Sequence, residues 1–239
     1  MTKLYQALGL SKRYGVKDAL LDVNFTVQAG RLVGLLGPNG SGKTTLLKIS
    51  AGLLRPTAGD VLILGETPGI ATKSVTAYLP DRMALPVEFR VCDAVALYSD
   101  FFADFDKAKA NAMLADLKLE PLQRIGAMSK GTQEKMQLCL TMSRQAKLYL
   151  LDEPLGGVDP AAREYIMNTI LRNYSEDAAV VISTHLIDDI EKVLDEVLVL
   201  KEGRLLLQSG VDELREERGQ SLDCLLYTSP SPRDYAASR

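Results

Sequence analysis

The chain has 239 residues, of which 46% are hydrophobic and 25% are charged, and its net charge is −3. This balance is typical of a globular protein with a sizeable core, and the charge gives no general case for nucleic-acid binding. No apolar run approaches the roughly 20 residues that cross a membrane, and the N-terminus lacks a signal-peptide pattern. The three cysteines have no metal-like spacing, which fits a reducing cytosol. We therefore expect a soluble protein without a nucleic-acid partner, for which any membrane role comes through another protein.

Two N-terminal segments have the pattern of antiparallel strands. In residues 20–28 apolar side chains occupy every second position, beginning at Leu21, as in a half-buried strand. Residues 5–10 look like the neighbouring strand, and residues 12–15 look like the turn between the two.

The most informative stretch follows at residues 37–45. It matches the pattern G-x-x-x-x-G-K-[ST] in full with the residues Gly37, Pro38, Asn39, Gly40, Ser41, Gly42, Lys43, Thr44 and Thr45. Residues 32–36 before it form a short apolar run typical of a buried strand, and residues 46–53 after it have helical spacing. Strand, glycine loop and helix thus come in the order that a phosphate-binding loop requires.

The residue types in this loop explain how it would bind phosphate. The glycines let backbone N–H groups point inward at phosphate oxygens, and the N-terminus of the following helix adds unpaired amides. We expect Lys43 to reach the β- and γ-phosphates and the Thr44 hydroxyl to bind Mg²⁺. Tyr14, just ahead of this site in the chain, is either an ordinary surface aromatic or a ring that stacks on adenine. The loop predicts a nucleoside-triphosphate site.

The middle of the chain changes from strand signals to helix signals. Residues 61–64 and 76–79 look like short strands, and a loop containing Asp81 follows the second. From about residue 86 to residue 146 the spacing is helical, which predicts a helical subdomain inserted into the sheet domain. One helical face in this region is expected to contain Phe105, Ala108, Ala112, Met113 and Leu117.

A second apolar run, residues 147–151, ends in two carboxylates, Asp152 and Glu153. Ligands bind at the carboxyl ends of strands in open α/β sheets, and successive side chains of a strand point in different directions. We expect Asp152 to hold Mg²⁺ and Glu153 to orient or deprotonate the attacking water. A surface Asp-Glu turn is the alternative, and the buried strand beside a phosphate loop argues against it.

The C-terminal part supplies three further signals. Asp159 followed by Pro160 is typical of a helix N-cap and first helical residue. Residues 178–183 look like a buried strand that leads to His185, the only histidine in the chain. A lone histidine is more often structural, but its position just past a strand end favours a functional role. Residues 197–207 look like a closing hairpin.

With these pieces in order, the chain resembles the ATP-binding cassette (ABC) ATPases, the nucleotide-binding subunits of ABC transporters. The similarity runs over residues 4–223, and its most specific part is residues 128–132, which read Met-Ser-Lys-Gly-Thr where that family carries Leu-Ser-Gly-Gly-Gln. The resemblance implies an α/β fold of the P-loop NTPase type in one nucleotide-binding domain over residues 1–223. Its mixed sheet core would have an N-terminal antiparallel β subdomain and an inserted helical subdomain.

The resemblance also implies that ATP and Mg²⁺ are bound between two such domains arranged head to tail. Ser129 and Gly131 would contact the γ-phosphate held by the opposite subunit. Tyr14 corresponds to the adenine-stacking aromatic, Asp159 to the loop that crosses to the dimer partner, and His185 to the histidine that contacts the γ-phosphate. The implied partners are a second ABC ATPase subunit, identical or similar, and transmembrane permease subunits.

Three positions depart from the family pattern. Lys130 replaces the first signature glycine, and its side chain either supplements phosphate binding or, as we prefer, points to solvent. Thr132 stands where glutamine is usual. Asp81 stands where the family generally has a glutamine that senses Mg²⁺ and couples to the membrane subunit. Aspartate is shorter and charged, so we keep Asp81 as a candidate metal ligand and leave its coupling role open.

Similar departures occur among the ATPase subunits of bacterial exporters, including peptide-antibiotic resistance systems. We therefore expect an ATP-hydrolysing exporter subunit, cytoplasmic and peripheral on the inner face of the cell membrane. Two alternatives remain open: a soluble ABC ATPase such as a cluster-assembly factor, and a binding module in which ATP only switches conformation.

Residues 224–239 need a separate interpretation. They look like the translation of a transposon-end sequencing adapter, the alternative being an ordinary Pro/Ser-rich tail. We exclude them from the fold prediction and do not interpret Cys224 as a functional thiol.

Overall fold

The computed structural model describes residues 3–187 and 190–218. The strands are β1 (Lys3–Tyr14), β2 (Lys17–Gln28), β3 (Leu32–Leu36), β4 (Ala58–Ile63), β5 (Thr76–Leu79), β6 (Leu148–Asp152), β7 (Ala179–Thr184), β8 (Glu196–Lys201) and β9 (Arg204–Gly210). The helices are α1 (Lys43–Ser50), α2 (Ile70–Ser74), α3 (Val91–Phe101), α4 (Lys107–Asp116), α5 (Lys130–Met142), α6 (Pro160–Asn173) and α7 (Val211–Arg218), with a 3₁₀ turn at Ile125–Ala127. The tail predicted to be non-native, residues 224–239, lies outside the described residues.

The strands form two sheets. A three-stranded antiparallel sheet has the order β2-β1-β4, and a six-stranded sheet has the order β5-β6-β7-β3-β8-β9. In the larger sheet the pairs from β5 to β8 are parallel, and only the β8–β9 pair is antiparallel. The predicted α/β fold, with a mixed central sheet and an antiparallel N-terminal sheet, is confirmed. Because β3, β6 and β7 run in parallel, the loops that follow them meet at one edge of the sheet.

Buried side chains cover both faces of the central sheet. One cluster fills the space between the two sheets and α1, and it includes Val33, Leu35 and Leu47. On the opposite face, alternate residues of the same strands, such as Leu32 and Leu36, pack with α5 and α6. All five residues of β3 are buried, as the apolar run predicted.

The buried positions of β2 differ from the predicted alternation at one end. Leu20 is fully buried and Leu21 is only partly buried. Asp22 has a φ of 52°, and the pairing of β1 with β2 is irregular between Leu20 and Val23. Such an irregularity changes the face to which the following side chains point, so the alternation does not extend to Leu21.

The helices α3, α4 and α5 lie within the predicted helical stretch and share a buried cluster. The predicted face was wrong at its two alanines, because Ala108 and Ala112 are exposed whereas Ala110 and Leu114 are buried. Its other members, Phe105, Met113 and Leu117, pack against the cluster as predicted. Alanine is tolerated on either face of a helix, so an alanine-rich pattern says little about which side is buried. The limits of a helical subdomain at residues 86–146 stay a prediction. No helix in the described ranges is both long and apolar enough to cross a membrane.

Candidate active site

The loop between β3 and α1 has a backbone that only glycine fits at two points. Gly37 has a φ of 154°, and a Cβ at this position would lie 2.1 Å from the carbonyl oxygen of Leu200. Gly42 has a φ of 111°, and its Cβ would lie 2.5 Å from the carbonyl oxygen of Ala19. The loop is therefore packed tightly against neighbouring backbone at both ends. Between these glycines, Pro38, Asn39 and Gly40 are exposed and the side chain of Ser41 is buried.

Lys43 places its ammonium group inside this loop. The side chain is 5% exposed, and Nζ donates to the carbonyl oxygens of Gly37 (2.7 Å) and Pro38 (3.3 Å). Nζ also lies 3.4 Å from Oε1 of Glu153. The structure therefore brings the lysine predicted to bind phosphate and the glutamate predicted to activate water to the same point.

Asp152 ends β6 with a buried carboxylate whose two oxygens differ. Oδ1 accepts hydrogen bonds from the hydroxyls of Ser183 (2.7 Å) and Thr44 (3.1 Å). Oδ2 is buried and has no hydrogen-bond partner among the described residues. Burial raises the pKa of Asp152, and the two hydroxyl groups partly oppose this. A buried oxygen without a partner beside the Thr44 hydroxyl suits an oxygen-binding cation such as Mg²⁺.

Glu153 points away from Asp152 and towards His185. Its φ is 50°, in the left-handed region, and its backbone N–H donates to the carbonyl oxygen (3.1 Å) and the hydroxyl (3.0 Å) of Ser183. Oε2 lies 3.0 Å from Nδ1 of His185, which follows β7 directly. An ionised carboxylate can only accept, so His185 donates through Nδ1–H. The two adjacent carboxylates thus contact different groups, as the sequence predicted.

An open hollow of about 360 Å³ lies over the loop. Tyr14, Asp81 and Glu153 line it together with Asn39, Gly40, Gly42, Lys43, Thr44, Thr45, Lys17 and Ala19. Its volume is in the range of small-molecule sites. Tyr14 ends β1 and is 46% exposed, and Asp81 follows β5. The structure therefore gathers Tyr14, most of the phosphate loop and Asp81 around one space, and Asp152 contacts Thr44 beside it.

Eight predicted site residues do not line this hollow: Gly37, Pro38, Ser41, Asp152, His185, Ser129, Gly131 and Asp159. The last three belong to the starts of α5 and α6. Ser129 caps α5, accepting a hydrogen bond from the Thr132 backbone (3.3 Å). Gly131 follows in the first turn of that helix, and a Cβ at this position would meet no atom within 4 Å. Asp159 caps α6, and the N–H of Ala162 lowers the pKa of its carboxyl. The contacts with ATP that the family resemblance implies for Ser129 and Gly131 lie across a subunit boundary.

Sequence reasoning missed Ser183, although this residue contacts both carboxylate-bearing positions. It lies opposite Asp152 in the register of β6 and β7. Its only signal was its place in the strand that leads to His185. Lys130, one of the departures, is 79% exposed and lies 3.6 Å from Oε1 of Glu134, in keeping with the preferred solvent orientation.

Comparison with known proteins points to one family. A sequence model described as "ABC transporter" matches residues 20–156. The chain is 31% identical over 216 residues to an uncharacterized ABC transporter ATP-binding protein of Bacillus subtilis, covering 87% of this chain and 72% of that protein. It is 29% identical to a SkfA peptide export ATP-binding protein of the same organism (90% and 92% covered). It is also 33% identical to a probable multidrug ABC transporter ATP-binding protein of Escherichia coli, covering 93% of this chain and 40% of that protein.

Solved structures give the same result. A structure described as the ATP binding subunit of an ABC transporter superposes with a TM-score of 0.83 at 29% identity, covering 94% of this chain and 98% of that one. A dimeric ATP-binding cassette bound to ADP and Pi has a TM-score of 0.77 at 20% identity (87% and 99% covered), which supports the fold alone.

Proposed function

Because this chain belongs to the ABC transporter family of ATP-binding proteins, we propose that it hydrolyses ATP to power export through separate membrane subunits. The observation that carries the proposal is the position of Glu153. Its carboxylate lies between Lys43 and His185, one residue beyond Asp152 and at the edge of the hollow over the phosphate loop. A base in this position is next to the place where a terminal phosphate would be held.

The binding roles follow from the donors and acceptors that line the hollow. We assign the phosphates to the amides of residues 37–45 and to Lys43, which would exchange its carbonyl contacts for charge-assisted hydrogen bonds. We assign the adenine to the exposed ring of Tyr14. Thr44, Asp152 and Asp81 would hold Mg²⁺, which when bound neutralises charge on the phosphate oxygens.

Hydrolysis then needs a proton acceptor and groups that fix its orientation. Glu153 would accept the proton of the attacking water. His185 holds one oxygen of this carboxylate through Nδ1–H, and Lys43 lies near the other. The residues thus supply orientation and electrostatic stabilisation, without covalent catalysis.

A second subunit would complete the site. Ser129, Gly131 and Asp159 lie outside the hollow, and the hollow is open on one side. A second ABC ATPase subunit placed head to tail would bring its Ser129 and Gly131 to the open side. In its transporter we place the protein in the cytoplasm, on the inner face of the cell membrane and bound to transmembrane permease subunits. Relatives named for peptide and multidrug transport support export as the direction.

Co-purification tests this assignment. Residues 1–223 with an affinity tag are expressed in the native host, and the membranes are solubilised in mild detergent. We expect a multi-span membrane protein in stoichiometric amount with the tagged chain. Recovery from the soluble fraction alone, in a preparation that hydrolyses ATP, would contradict the transporter role and favour a soluble ABC ATPase. Binding of ATP without turnover would favour an ATP-switched binding module.

A further inference from the structure

Tyr78 lies on β5, the strand beside β6. It lies opposite Leu150 in the parallel pairing of β5 with β6. Alternate residues of a strand share a face, so Leu150 and Asp152 point to the same side of the sheet. Tyr78 packs against the buried cluster that contains Leu150. Its phenol ring therefore lies on the side of the sheet to which Asp152 points.

Two polar atoms at this place have no partner. The Tyr78 hydroxyl and Oδ2 of Asp152 are both buried, and neither has a hydrogen bond within the part of the chain that the structure describes. The other carboxylate oxygen already accepts from Ser183 and Thr44. Buried polar atoms are normally satisfied by protein groups or by an ordered water. The carboxylate of Asp152 is near enough to act on the phenol of Tyr78, so the unpartnered donor and the unpartnered acceptor complement each other.

The charges around the phenol favour its role as a donor. Burial raises the pKa of the Tyr78 hydroxyl, and the carboxylates of Asp152 and Asp81 raise it further. A phenol hydroxyl carries its proton at neutral pH, and the carboxylate of Asp152 can only accept one. A neutral donor beside a buried carboxylate also reduces the cost of burying its charge.

We infer that Tyr78 is a positioning residue of the metal site, whose hydroxyl donates to Oδ2 of Asp152, directly or through one water, and holds this carboxylate ready for Mg²⁺. The inference rests on the proposed function. It adds a residue that binds neither nucleotide nor metal and acts through Asp152. Groups that orient a metal ligand are a recognised determinant of metal affinity.

The test uses Tyr78→Phe, which removes one hydroxyl and keeps the ring. Binding of a non-hydrolysable ATP analogue is measured by equilibrium titration, first in EDTA and then at increasing Mg²⁺. We expect unchanged affinity in EDTA and an about tenfold higher Mg²⁺ concentration at the midpoint. Tyr149→Phe is the matched control, because its hydroxyl donates to the carbonyl of Arg144 on the opposite face of the sheet. It should keep the wild-type Mg²⁺ midpoint.

Thr44→Ala separates this inference from the proposed function. If the metal site is as proposed, this variant also needs more Mg²⁺. A shift in Thr44→Ala together with a wild-type midpoint in a folded Tyr78→Phe would overturn the role of Tyr78 alone. Wild-type protein that binds the analogue equally well with and without Mg²⁺ would instead overturn the metal site itself. Melting temperature serves as the check that each variant is folded.

Discussion

The ammonium of Lys43 is almost fully buried and depends on backbone carbonyl groups for its hydrogen bonds. The carbonyl oxygens of Gly37 and Pro38 accept hydrogen bonds from Nζ of Lys43, and the carboxylate of Glu153 lies 3.4 Å from the same atom. A buried ammonium needs partners because it has lost its hydration. A triphosphate forms shorter and stronger hydrogen bonds with an ammonium group than neutral carbonyl groups do. ATP can therefore replace the carbonyl groups as the partners of Lys43.

Lys43→Ala should therefore weaken ATP binding. Hydrogen bonds to charged groups contribute about 1.5–3 kcal/mol, or roughly 10- to 150-fold in affinity. The dissociation constant for ATP is measured by calorimetry. Lys48→Ala is the control, because Lys48 is on the same helix and does not line the hollow. Equal affinities for ATP in the two variants would contradict the role of Lys43.

The backbone at Glu153 explains how two adjacent carboxylates serve different functions. Continuing the strand would give period-two alternation, but Glu153 adopts a φ of 50°. A non-glycine residue in this region is strained, and such strain is often found at functional sites. The bonds from its N–H to Ser183 hold the turn in place. The carboxylate is thereby turned to Lys43 and His185 while Asp152 stays with Thr44.

At the scale of elements, Arg144 joins the helical region to the central sheet. Its guanidinium is 3% exposed and pairs with Asp104 (2.9 Å), which lies between α3 and α4. It also donates to the carbonyl oxygens of Thr76 (2.6 Å) and Ser74 (2.9 Å), and it lies 4.0 Å from the Phe102 ring centre. One side chain thus connects the end of α5 with the start of β5 and the end of α3.

Arg144→Ala should destabilise the protein strongly, because it leaves the Asp104 carboxylate and the carbonyl groups without their donor. Breaking a buried pair in this way costs about 3–5 kcal/mol. Chemical denaturation of the two proteins gives the difference. The control is Arg172→Ala at an exposed position of α6, for which a change within about 0.5 kcal/mol is expected. If Arg144→Ala unfolds at the same denaturant concentration as the wild type, Arg144 does not stabilise the contact between the helical region and the central sheet.

The sequence predicted contacts that depend on local pattern and missed those that depend on register. The phosphate loop was predictable because its glycines and Lys43 act within one strand–loop–helix unit. Ser183 was not, because its contact with Asp152 depends on how β6 is aligned with β7. The same holds for Tyr78, whose neighbour across the sheet is set by the pairing of β5. The positive φ of Asp22, which moved the buried face of β2 to Leu20, has no signal in an alternating pattern.

At the scale of the whole molecule, the proposed site is divided between two parts of the chain. One is the hollow over the phosphate loop, and the other is the start of α5 with Ser129 and Gly131, which are not part of the lining of the hollow. Gly131 has open space where a side chain would be. A head-to-tail pair would use both parts at once, so each ATP would need residues from two chains.

Mixing two inactive variants tests this arrangement. Lys43→Ala and Ser129→Arg should each have little ATPase activity alone. In a mixed dimer both defects fall in one site and the other site is intact, so the mixture should regain turnover. The control mixes Lys43→Ala with Glu153→Gln, which leaves one defect in each site and should stay inactive. Mixed dimers that form but give no activity in the first mixture would contradict the head-to-tail site.

The measurement that tests the central claim most directly is steady-state ATP turnover by Glu153→Gln, together with its affinity for ATP. Glutamine keeps the shape of glutamate but cannot act as a general base, so turnover should fall by at least about a hundredfold. ATP binding should stay intact, because the phosphate loop is unchanged. Glu164→Gln, at an exposed position of α6, should retain wild-type turnover. Wild-type turnover in Glu153→Gln would contradict the assignment of this carboxylate, and with it the proposed mechanism of hydrolysis.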